Sequence, residues 1–270
     1  MIRLKTTLLL LLLLSLGGAV RAQDSYYQAL TRYVQSNRMA CLVQPDELRK
    51  GLTELTDRAL KDKKGFDTAT LVDCYMREQF MPDLVRYVLL PSYGRHVTED
   101  ELRQLTRLYA SASGRTFVEH MRQWQERMDP VVAELLSWQV EETDTGNQLL
   151  PVQPDSRCPQ EYVTLFCEYY DAARPNAALD AMEQSEVYRW GEDELRRIFD
   201  AMLPYLRANL RNISLNTAYG VLTEDDLRFG KAAASTEAYQ RATDAAVEAA
   251  CTMQTATRLL YMKYLDWLTK

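Results

Sequence analysis

Apolar residues in this chain recur at the three- and four-residue spacing of a single helical face, and strict polar-apolar alternation nowhere runs long enough to build a sheet. Leu102, Leu105, Leu108, Tyr109 and Ala112 form one stripe; Phe117, Val118, Met121, Trp124 and Met128 form the next. Val131, Val132, Leu135 and Leu136 follow Pro130, a residue suited to the first turn of a new helix. Leu195, Ile198, Phe199, Met202, Leu206 and Leu210 mark a long helix, and Met253, Ala256, Leu260, Tyr264 and Trp267 mark the last. The fold class these patterns imply is all-α and bundle-like.

Residues 142–159 break the pattern. Turn-forming Asp144, Gly146 and Asn147 open this stretch and Pro151, Pro154 and Pro159 close it, which is linker composition. Two helical modules, 24–141 and 160–270, are expected on either side. They share features in the same order. Thr98-Glu-Asp-Glu-Leu102-Arg103 returns as Thr223-Glu-Asp-Asp-Leu227-Arg228, shortly after Tyr93-Gly94 and Tyr219-Gly220. Pro82 and Pro204 precede each copy, and Tyr26, Leu30 and Tyr33 match the spacing of Tyr162, Phe166 and Tyr169. An internal duplication is the expected explanation.

The repeated motif reads first as a helix joint. Thr98 with Glu101 forms a capping box, and Thr223 with Asp226 a weaker one, each ahead of an apolar stripe. The glycine of each Tyr-Gly is expected to end the preceding helix in a left-handed conformation. From Thr98-Glu-Asp-Glu-Leu102 through Tyr109-Ala-Ser111 to Gly114-Arg-Thr-Phe117, the chain resembles the bacterial exported domain-of-unknown-function family numbered 2059, over roughly residues 80–130. The resemblance implies small exported helical modules and carries over no catalytic residue and no cofactor. The second copy departs from it: without gaps, Tyr109 becomes Ala234, Ser111 becomes Thr236, Gly114 becomes Tyr239 and Phe117 becomes Ala242. Small residues in place of large ones let helices approach more closely while burying less area.

Residues 1–22 read as a secretory leader, with Arg3 and Lys5 before a leucine run and small residues ahead of a cut after Ala22. The apolar run falls short of a membrane span, and no span is expected in the mature chain, which would be periplasmic or secreted. Loss of Arg3, Lys5 and Arg21 would leave 29 basic against 38 acidic side chains, a surface unsuited to nucleic acid. Cys41, Cys74, Cys158, Cys167 and Cys251 are odd in number and match no zinc spacing. Bridged and buried thiols both remain open, as does the connectivity.

Catalytic chemistry is thinly supplied. His96 and His120 read as structural, and no phosphate loop or nucleophile signature is present, so neither a cofactor nor a metal site is expected. The acidic runs Glu99-Asp-Glu101 and Glu192-Asp-Glu194 belong at helix starts, where they favour the dipole. Asp67 likewise reads as a helix cap.

Sixteen tyrosines are the oddity of composition. Tyr26, Leu30, Tyr33, Tyr162, Phe166 and Tyr169 are the candidate binding face, with core packing as the competing reading. The residues together rank a non-catalytic interaction or structural protein with an envelope protein partner first. A small apolar ligand between helices, lined by those tyrosines and by Met81, Met121 and Met128, comes second, and a hydrolase using carboxylates third.

Overall fold

The computed structural model describes residues 24–37, 45–61, 65, 67–142, 151–185 and 193–269. The leader 1–22, Cys41 and linker residues 143–150 lie outside the described residues.

The structure is all-α. The first half contains α1 (24–37), α2 (Pro45–Ala59), α3 (Thr68–Glu78) and α4 (Phe80–Asp83). A π-helical stretch, Leu84–Leu89, runs directly into α5 (Leu90–His96), followed by α6 (Glu99–Ala110) and α7 (Ala112–Glu142). The second half contains α8 (Gln160–Ala173), α9 (Asn176–Gln184), α10 (Asp193–Ala218), α11 (Glu224–Ala234), α12 (Glu237–Cys251) and α13 (Met253–Leu268). Among the described residues no strand forms, and one isolated bridge pairs Tyr219 with Leu222. No helix among them is long and apolar enough to cross a membrane.

The expected joints form from local chemistry. The Glu101 amide donates to Thr98 Oγ1 at 3.3 Å while the Thr98 amide donates to Glu101 Oε2 at 2.7 Å. The Asp226 amide donates to Thr223 Oγ1 at 3.2 Å and the Thr223 amide to Asp226 Oδ2 at 2.8 Å, so the second box closes as fully as the first. Such a cap stabilises its helix by about 1 kcal/mol. A second cap follows each time: the Gly114 amide donates to Ser111 Oγ at 3.0 Å, and the Tyr239 amide to Thr236 Oγ1 at 3.3 Å. Asp67 caps α3 by accepting from the Ala69 amide at 3.1 Å.

Two local expectations are corrected. Gly220 is left-handed at φ 82°, but Gly94 lies inside α5 with no positive φ. The first chain copy runs one turn further, to His96, before extended Val97 breaks it. Pro130 starts no helix; it sits exposed inside α7, which continues from Ala112 to Glu142. An outward position lets the proline ring and the lost amide face water rather than packed neighbours.

One apolar core cluster, extending in sequence from Ala29 to Tyr264, crosses the expected boundary at 142–159. The halves exchange helices. α7 leaves the first half to pack on α10 and α11, while α12 returns to pack on α5 and α6, and α13 reaches the π-helical stretch. Trp124 Nε1 on α7 donates to Thr217 Oγ1 at 2.9 Å, and Arg127 donates to the Tyr219 carbonyl at 3.1 Å. In the other direction the Tyr264 ring stands 4.9 Å from that of Tyr75, edge on, and the Tyr264 hydroxyl meets that of buried Thr56.

The capping carboxylates take part in this exchange. Asp226 Oδ2 lies 2.7 Å from His120 Nδ1 on α7, and Glu101 Oε1 lies 3.3 Å from Arg241 Nη1 on α12. Each half thus supplies a basic side chain to the capping acid of the other. Asp226 is almost fully buried, whereas Glu101 is partly open, so the first pair is better shielded from water than the second.

Candidate ligand cavity between the two halves

The six tyrosine-stripe residues separate into roles by position. The Tyr26 hydroxyl donates to the Val97 carbonyl at 2.9 Å, and that of Tyr162 to the Leu222 carbonyl at 3.1 Å. Val97 and Leu222 each immediately precede a capping threonine, so the first tyrosine of each stripe braces the following joint. Leu30 and Phe166 are wholly inaccessible and serve the core. Only the last of each triplet, Tyr33 and Tyr169, lines a cavity. The stripe is therefore not an exposed binding face: four members pack or brace, because helical spacing turns one face toward the core.

The cavity has a volume of about 500 Å³ and draws its walls from both halves. That size falls in the range of small-molecule sites. Phe117, Val118 and Met121 of α7 line it from the first half, and Ala242, Thr243 and Ala246 of α12 from the second. When the repeated motifs are aligned without gaps, Phe117 matches Ala242, Val118 matches Thr243 and Met121 matches Ala246. The cavity is therefore lined by equivalent positions of α7 and α12. Its space arises where the second copy carries smaller side chains than the first. Ala177, Ala181 and Ser185 close a further side from α9 and the residue after it.

Gly230 brings α11 close behind this wall. A Cβ there would stand 2.8 Å from Tyr169 and 2.9 Å from Phe117, so any larger residue displaces two lining rings. Those rings meet edge to face with centroids 6.1 Å apart.

Polarity in the cavity is sparse. Tyr33, Tyr109, Tyr169 and Tyr239 supply phenols, and burial raises the pKa of each above the ordinary tyrosine value. Neighbouring phenols add to the shift at Tyr33, Tyr109 and Tyr169. All four therefore stay neutral hydrogen-bond donors through the physiological range. Tyr33 bonds with Asn37 and Tyr93, and Tyr239 with Thr243. The Tyr169 hydroxyl reaches the Met121 sulfur at 3.5 Å, a weak acceptor.

Among the described residues one charged side chain, that of Arg174, lines the cavity, and its exposure places it at the rim. It caps α8 in the left-handed region at φ 53°, ψ 48°, where helices favour glycine or asparagine. Holding a residue that carries a Cβ there costs about 1–2 kcal/mol. Arg174 Nη1 donates to Gln240 Oε1 at 3.0 Å and to Asp244 Oδ1 at 3.1 Å.

Sequence reasoning reached Tyr33, Tyr169 and Met121 and missed Arg174, Tyr239 and the alanines of α12. Met81 packs against the core instead, and the Met128 sulfur accepts from Thr217 Oγ1 at 2.8 Å. The signal for the alanines was the departure at Phe117 and Ala242. Nothing local marks Arg174, whose conformation depends on the turn into α9. The remaining candidate chemistry lies elsewhere: His96 pairs with Glu248, and His120 with Asp226. Among the described residues no group of three or more potential metal ligands converges; Cys74, Cys158 and Cys167 are half-buried and outside any disulfide, and the half-buried Cys251 thiol donates to the Ala181 carbonyl at 3.6 Å.

Compared with known proteins, the chain matches no family model, no curated protein and no solved structure. The likeness over residues 80–130 rests on its motif residues alone.

Proposed function

We propose that this chain is an exported, non-catalytic binding protein that holds one small apolar molecule between its two halves. The observation that carries the reading is the cavity of about 500 Å³ that α7 and α12 line at matching positions with unequal side chains. Among the described residues its lining holds no Asp, Glu, His or Cys, so the paired carboxylates of a hydrolase have no counterpart there. That weighs against carboxylate hydrolysis, and the cavity's volume favours a small ligand over an envelope protein partner, the reading ranked first by the residues alone. Duplication of an ancestral helical module accounts for the matched caps, the matched tyrosine braces and the unequal walls. Export rests on the composition of residues 1–22.

Titration calorimetry with decanol tests the proposal. The unaltered chain is expected to bind one molecule, and Ala246→Met, which places the residue of the opposite wall into the space, is expected to abolish binding while leaving the helical spectrum unchanged. Binding that survives Ala246→Met at full strength puts the ligand elsewhere and defeats the proposal.

A further inference from the structure

We infer that the ligand is an amphipathic carboxylate whose apolar body fills the cavity and whose anionic end is received by Arg174 at the rim; this rests on the cavity reading above. Three observations converge on the head group. Among the described residues Arg174 is the one charged side chain in the cavity lining, and it stands where that lining meets solvent. A charge at the opening of an otherwise apolar space sets an orientation: the ligand's charged end stays outermost and its body inward.

The guanidinium is also positioned without being used up. Gln240 and Asp244 both bind through Nη1, and among the described residues no partner engages Nε or Nη2. Those two nitrogens form the edge that grips a carboxylate with paired hydrogen bonds. Gln240 is itself fixed, donating from Nε2 to the Ala172 carbonyl at 2.8 Å, so the Nη1 anchor is held from two helices.

Finally, the backbone at Arg174 runs against its own preference. A left-handed helix end is the ordinary place of glycine, and the chain holds an arginine there. Strained positions of this kind cluster at ligand clamps. Asp244 partly neutralises the arginine, yet both groups are nearly half exposed, where such a pair contributes little to stability. A bidentate ligand carboxylate adds to that arrangement rather than having to displace it.

The test compares decanoate with decanol on the full chain and on Arg174→Gly. Decanoate is expected to bind the unaltered chain more tightly than decanol does. Arg174→Gly should weaken decanoate about tenfold or more, leave decanol unchanged, and hold or raise the melting temperature because glycine relieves the left-handed backbone. A structural role for Arg174 would instead lower the melting temperature and weaken both ligands together, which overturns the inference. Equal affinity for the two ligands, or decanoate binding untouched in Arg174→Gly, overturns it while leaving the cavity reading intact. Failure of both ligands to bind overturns both readings.

Discussion

Gly94 and Gly220 occupy matching places in the repeated motif, and replacing each with alanine should have opposite effects. Gly220 has φ 82°, a conformation in which a Cβ crowds the following carbonyl at a cost of about 1–2 kcal/mol. Loss of glycine's freedom in the unfolded chain returns about 0.4–1 kcal/mol, so Gly220→Ala should destabilise by about 1 kcal/mol. Gly94 is exposed inside α5, and a Cβ there meets nothing within 4 Å. Gly94→Ala should therefore stabilise by about 0.5–1 kcal/mol. For a chain of this size each kcal/mol moves the melting temperature by roughly 2–4 °C. Thermal melts followed by far-ultraviolet circular dichroism resolve both shifts. Loss of stability in both variants would refute the helical placement of Gly94 and restore the symmetry that the sequence suggests.

Other outcomes follow from the exchanged helices and buried phenols. Asp226→Ala strips the acceptor from the Thr223 amide and from His120 in a buried setting, and should cost about 3 kcal/mol in denaturant unfolding. Glu101→Ala, in the more open box, should cost about 1 kcal/mol. Tyr33, Tyr109 and Tyr169 have folded pKa values raised by burial, so their contribution is full below the unfolded value of about 10 and falls as pH rises beyond it. Each phenol should then remove about 1.4 kcal/mol per pH unit, read as alkaline unfolding coupled to tyrosinate absorbance. A protease cut within 143–156 should leave both fragments co-eluting on size exclusion in native buffer, because α7 and α12 each pack on the opposite half.

The helices and their starts were legible because their causes are local. Thr98 and Thr223 cap through residues three positions away, and stripes such as Leu102, Leu105 and Tyr109 bury one face wherever the helix lies. Gly94 shows where local reading stops: Tyr-Gly has the same letters in both copies, but α5 closes only at Val97 and α10 closes before Gly220. Pro130 was misread for a similar reason, since an exposed proline inside a packed helix leaves the same signal as one at its start. The helix exchange was invisible because Trp124–Thr217 and Thr56–Tyr264 are pairings across the whole chain. Half of the cavity was written in the sequence as the large-to-small change from Phe117 to Ala242. That the two positions line one cavity was not, since that depends on which helices α12 packs against.

The most direct measurement is a crystal structure of the full chain grown with a bromine-tipped decanol, read by anomalous scattering. The account predicts one bromine peak inside the cavity bounded by Tyr33, Met121, Tyr169 and Ala246, with those side chains in place around it. A peak confined to the outer surface, or an unoccupied and collapsed space between α7 and α12 at saturating ligand, would contradict it.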